Sequence, residues 1–112
     1  MAKRILILGY AIGRGNDELG VLLMKNFLYS LARADERPVA VMLMNEGVRL
    51  ACDGSDSLDD LRLMSEQGTA IKACGTCLDF LGLTDALAVG EIGTMPASVD
   101  ALLGPDQIVT IA

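Results

Sequence analysis

The sequence predicts an α/β domain: a parallel sheet with helices over both faces. Three observations carry that prediction. Short apolar runs alternate with longer amphipathic stretches in the order β-α-β-α-α-β-α-β-α-β. The connections between them are short. The first run is rich in Ile and Leu without every-other-residue alternation, as in a strand buried on both faces. The 112 residues fit one domain, 1–112, with no linker, repeat or low-complexity segment. Hydrophobic residues at 52% against 21% charged describe a folding chain. Aromatics make up only 4% and Trp is absent, so the core falls to aliphatics and the six Met.

Each element has its own signal. Lys3–Gly9 is the first strand. Its basic start and apolar run imitate a signal peptide, but the run is short and leads into Gly-Arg-Gly-Asn-Asp-Glu. Asp17–Arg33 is a helix with Asn16 as N-cap and two acidic residues at its positive end. Pro38–Met44 is a second buried run, followed by a short helix over Asn45–Cys52. Asp53–Ser57 is a polar loop, and Ser57 or Asp56 caps a helix that stops at Gly68. Thr69–Ala73 is a third strand, Cys74–Cys77 a turn and Thr76–Leu83 a short helix. Leu87–Val89 is a weak fourth strand. Thr94 caps a helix with Pro96 in its first turn, and Gln107–Ile111 is the last strand. No run approaches the ~18 apolar residues of a membrane-spanning helix.

The first helix carries two apolar faces, one with Leu19, Leu22, Leu23 and Phe27 and one with Val21, Met24, Leu28 and Leu31. A stripe this wide implies burial on two sides. One side meets the sheet; the other meets a neighbouring helix or another subunit. A homo-oligomer with Met24 and Leu28 at the contact is the expectation.

Composition removes several chemistries. With no His, the chain holds no Ser-His-Asp or Cys-His nucleophile and no His-based zinc site. Three Cys are too few for a Cys₄ metal site and do not make a secreted disulfide framework. Unpaired thiols point to a reducing cytoplasm. A net charge of −6 argues against a sequence-independent grip on nucleic acid or on an anionic membrane.

Ligands on a parallel sheet bind beyond the carboxyl ends of the strands. Three loops lie there: Gly9–Asn16, Asn45–Gly47 and Cys74–Cys77. The first has neither GxGxxG nor GxxxxGK[ST] spacing, and Asp17 and Glu18 put negative charge where a phosphate would sit. Arg14 is its best anion contact. Cys74-Gly75-Thr76-Cys77 is the most informative stretch. A thiol reacts as its thiolate, and a helix start favours that anion. Gly75 permits the tight turn, and Thr76 can cap the helix or donate a hydrogen bond. Cys74, ending a strand, is expected to show its sulfur at the open sheet edge, and Cys77, inside the first helical turn, to be partly shielded. Small, inert core thiols are the competing reading. Cys52 reads as structural, Asp53–Asp60 as a solvated loop and helix start, Glu91 as a surface carboxylate, and Met42 and Met44 as core.

Gly-Arg-Gly-Asn-Asp-Glu-Leu-Gly (13–20), Leu-Met-Lys-Asn-Phe-Leu-Tyr (23–29), Met-Asn-Glu-Gly-Val (44–48), Cys-Gly-Thr-Cys-Leu-Asp (74–79) and Val-Gly-Glu-Ile (89–92) together resemble the C-terminal domain of YedF-type proteins, within the DsrE/DsrF/TusD-like sulfur-relay superfamily. The resemblance spans essentially the whole chain. It implies a three-layer α/β/α sandwich with a five-stranded parallel sheet, assembled as oligomers, often trimers or hexamers. It also implies sulfur carried as a persulfide on Cys74, with no bound cofactor and no metal. YedF-type proteins join this domain to a TusA-like one with a Cys-Pro motif. That motif is not in these 112 residues, so sulfur would come from a separate TusA-like carrier. The second thiol, Cys77, departs from what sulfur-relay members require. The functional expectation is a cytoplasmic persulfide carrier or sulfurtransferase. Cys74 and Cys77 would do the chemistry, and Gly75, Thr76, Arg14 and Asn45 would support them. The alternative is a non-catalytic, homo-oligomeric module of the same fold that binds a small ligand or a protein. A CxxC oxidoreductase is a third possibility, against which stands the lack of a thioredoxin-type cis-proline loop.

Overall fold

Strands β1 (Lys3–Ile7), β2 (Ala40–Leu43), β3 (Ala70–Cys74), β4 (Glu91–Gly93) and β5 (Gln107–Ile111) form one sheet in the order β4-β3-β2-β1-β5. Every neighbouring pair is parallel. The computed structural model describes residues 2–112. Helices α1 (Asp17–Ala32), α2 (Leu58–Glu66), α3 (Gly75–Phe80) and α4 (Met95–Leu102) complete it, with a 3₁₀ turn over Asn45–Ala51 and a shorter one over Thr84–Ala86.

The order of strands dictates the layers. From β1 to β4 each strand is laid beside the last in one direction, whereas the step from β4 to β5 returns across the sheet to the far side of β1. Right-handed crossovers then put α1, α2 and α3 on one face and α4 on the other. The register agrees. Ile5, Val41 and Ile71 align across three strands, as do Ile7, Leu43 and Ala73, and all six lie in the core with Met24, Leu28, Leu61, Met64 and Leu78. The alternate residues Arg4, Ala40 and Ala70, then Leu6, Met42 and Lys72, line up on the other face. There α4 covers them loosely: it buries none of its own residues and leaves a groove of ≈ 210 Å³ against Arg4, Ala40, Met42, Ala70 and Lys72. The architecture is the expected α/β/α sandwich, with a full layer on one side and a thin one on the other.

Two of the three expected caps form, whereas Ser57 holds the cap position of α2 without a side-chain cap bond. Asn16 accepts from the Leu19 amide at 2.9 Å, and Thr94 accepts from the Ala97 amide at 3.3 Å. Three readings need correction. The fourth strand is Glu91–Gly93, not Leu87–Val89. Leu87 makes only a single antiparallel bridge to Cys52, and the amides of Ala88 and Val89 both donate to Ala51. Gly90, at φ +83°, then turns the chain into register with Lys72–Cys74. Met24 and Leu28 are fully buried core residues, so they are not at a subunit contact. The apolar side chains that α1 turns outward are Leu19, Val21, Leu22, Leu23 and Tyr29. Asp60, read as part of a solvated stretch, is buried between Lys25 at 3.2 Å and Arg33 at 3.0 Å, tying α2 to α1.

Candidate functional site

The helices that follow β3 and β4 leave toward opposite faces, so the chain diverges at the carboxyl ends of these two strands. In a parallel sheet such a divergence is where ligands and chemistry collect. Cys74 stands at that point: it is the last residue of β3, the cap position of α3 and the register partner of Gly93 in β4. Gly75 opens α3, and a Cβ there would lie 3.0 Å from Ile92 Cγ2. Cys77, three residues on, turns back toward the carboxyl end of β2.

The two thiols are neighbours, near enough for Cys74 to act on Cys77. The Sγ of Cys77 also accepts the backbone N–H of Asn45, at 3.1 Å. Asn45 follows β2, the strand next to β3, and so reaches the cysteines across one strand spacing. Burial pushes the Cys77 thiol above its ordinary value of 9.0, the hydrogen bond with Cys74 pushes it the same way, and the Asn45 amide pulls it down. The net direction is upward. Cys77 is thus not a strongly activated thiolate.

The burial of the two residues reverses the expectation. Cys74 is buried, at 8% exposure, and Cys77 is half-buried. Cys74 lies on an interior strand, walled by β2 and β4 and roofed by the helix it starts, whereas Cys77 sits one turn out of that wall. Thr76 is exposed at the second helical position and does not cap α3, because the cap position belongs to Cys74. Arg14 is not brought to the pair. Its loop is tied down where the Gly13 amide donates to Ala112, at the end of β5, with β1 and β2 between it and β3. Glu91 is exposed and pairs with Lys72, whose hydrogen bond and charge hold its carboxyl below the usual range. Cys52 is buried and donates to the Val48 carbonyl at 3.3 Å, which makes it a packing thiol. Asn45, expected as a supporting residue, reaches Cys77 through its backbone amide, which the sequence alone did not single out. Its left-handed backbone, φ +53°, is what aims the amide, and an Asn directly after a buried run is the one sequence signal of that conformation.

No family model matches the chain, and no curated protein matches it in sequence. Solved structures do. The ychN protein of E. coli superposes with a TM-score of 0.72 at 19% identity, over 99% of this chain and 100% of that one. The protein of unknown function MTH1491 from Methanobacterium thermoautotrophicum gives 0.64 at 16% identity, over 98% and 99%. The conserved protein of unknown function BT1422 from Bacteroides thetaiotaomicron gives 0.58 at 16%, over 96% and 94%. At these identities the likeness is one of fold, and the fold is DsrE/DsrF-like.

Proposed function

We propose that this chain is a sulfur-relay protein whose Cys74/Cys77 pair carries sulfur as a persulfide. The observation that supports it best is the half-buried Cys77, its sulfur held by a backbone amide beside a second thiol at the sheet's point of divergence. The Cys77 thiolate attacks the outer sulfur of a donor persulfide R–S–SH. The donor S–S bond breaks, R–S⁻ leaves, and Cys77 becomes Cys–S–SH. An acceptor thiolate then takes the outer sulfur, and Cys77 leaves as thiolate. Cys74 is within reach of the inner sulfur. If its thiolate attacks there, HS⁻ is expelled and a Cys74–Cys77 disulfide remains. This gives the first encounter to Cys77 and the resolving role to Cys74, the reverse of the assignment the resemblance implies. In this reading the donor is a separate TusA-like carrier, the compartment is the reducing cytoplasm, and the chain works as a homo-oligomer, a trimer or hexamer.

The test is intact mass after incubation with a persulfide donor. The wild-type chain gains one sulfur atom, Cys77→Ser gains none, and Cys74→Ser keeps the added sulfur for longer than wild type. Loss in Cys74→Ser alone would return the carrier role to Cys74. Sulfur uptake unaffected by either change would remove both cysteines from the function.

The groove beneath α4 favours a second reading, a non-catalytic, homo-oligomeric binding module. Its walls of Ala40, Met42, Ala70 and Ala97 suit a small apolar group. Under that reading no sulfur is taken up by any variant.

A further inference from the structure

We infer that Asn45 is a positioning residue: its left-handed backbone holds one amide as a fixed donor to the sulfur anion formed on Cys77. The inference deepens the reading of the cysteine pair as a sulfur carrier and rests on it for its purpose.

Five observations place the amide there. Asn45 is the one non-glycine residue with positive φ among the described residues. Its N–H meets Cys77 Sγ at 3.1 Å. Its own side-chain oxygen accepts the next amide, that of Glu46, at 2.8 Å, which ties the local backbone to itself. Two residues on, Gly47 is buried so tightly on β1 that a Cβ would lie 2.7 Å from the Ile7 carbonyl oxygen. The Met44 amide donates to that same oxygen at 3.0 Å. The turn is therefore fastened on both sides of Asn45, to β1 before and after it, and cannot follow the sulfur if α3 shifts. A donor fixed before the charge forms stabilises the anion without first having to reorganise.

The other influences on Cys77 make this amide matter. Burial and Cys74 both favour the neutral thiol, and the amide opposes them. Cys74, from β3, is the titratable group that acts on Cys77. Glu46, exposed, and Arg49, half-buried, lie on the turn that supplies Asn45 and are paired with each other.

Left-handed φ is open to Gly, tolerated by Asn and resisted by Ala and still more by Val. The experiment uses that ranking in the full chain with Cys74→Ser, so that Cys77 titrates alone. The rate of iodoacetamide modification of the Cys77 peptide is followed against pH by mass spectrometry. Asn45→Gly should keep the thiol's apparent pKa within a few tenths of a unit of the parent, because the amide stays in place. Asn45→Val should raise it by about one unit, the scale of one hydrogen bond to a charged group. Modification at neutral pH should then slow by only about threefold, since a more basic thiolate is also more nucleophilic. Asn45→Ala gives the same direction with a smaller shift and stands in if the Val variant does not fold. No shift in Val or Ala would overturn the inference. An equal shift in Gly, Ala and Val would also overturn it, by assigning the effect to the side chain. No sulfur donor is used, so the amide can pass this test while sulfur transfer fails its own, and the two results are read separately.

Discussion

Cys52 and Cys77 both hold their protons more firmly in the folded chain than a free thiol does, and burial is the larger cause in each. For Cys52 the Asp53 carboxylate adds to the effect and Arg49 opposes it. The sign follows directly. A raised folded value means that the stabilising contribution is complete below the unfolded value of 9.0 and is lost as pH rises through the folded one. Urea midpoints should therefore fall steeply above about pH 9, through the region where free thiols ionise. Cys52→Ala should flatten that fall and leave the lower-pH trend alone. An unchanged slope in Cys52→Ala would mean that other groups cause it. At this scale the sequence was legible in identities but not in environments. The CxxC spacing singled out Cys74 and Cys77, which the fold places side by side where β3 ends. Which sulfur faces water depends on walls supplied by β2 and β4, and no local pattern encodes them. Asp60 was misread for the same reason: Lys25 and Arg33, which neutralise it, come from a helix about thirty residues away.

Between residues and whole molecule, the elements with their own apolar run or cap were readable. Asp17–Ala32, with Asn16 ahead of it, and Gln107–Ile111 fall where the sequence puts them. The element that failed was β4. Three residues long and exposed at two of them, it has little hydrophobic signature, and it exists because β3 offers an open edge and Gly90 delivers the chain to it. This makes Gly90 more consequential than the strand it precedes. A Cβ there would stand 2.5 Å from the Ile71 carbonyl oxygen, at a φ that an L side chain rarely adopts. Gly90→Ala should destabilise the chain by roughly 1–3 kcal/mol. Hydrogen exchange should show early loss of protection in Glu91–Gly93, checked against a urea midpoint. Retention of both would mean that β3 alone positions the edge strand.

At the scale of the whole molecule, α1 separates two kinds of apolar residue that its sequence ran together. Leu28 is fully buried, and Leu28→Ala should cost about 2–5 kcal/mol. Leu22, at 55% exposure, contributes little to the isolated chain. In the proposed oligomer, Leu22→Glu should leave the melting temperature of the monomer near its parent value and move the light-scattering mass to a smaller species. A mass unchanged by Leu22→Glu would clear this helix of any role in assembly. Helical periodicity marks which residues are apolar, but the number of layers each side of a helix meets is fixed only once the sheet exists. The sheet has a consequence in time as well. β1 and β5 are neighbours, Lys3 beside Gln107 and Ile7 beside Ile111, although about a hundred residues of chain separate them. Closing so long a loop is entropically costly and slow. On the ribosome, β1 emerges first and waits with one side unpaired until β5 follows. Until β5 is made, the nascent domain thus presents a bare, apolar strand edge to anything nearby, including the same strand on the next chain of a polysome.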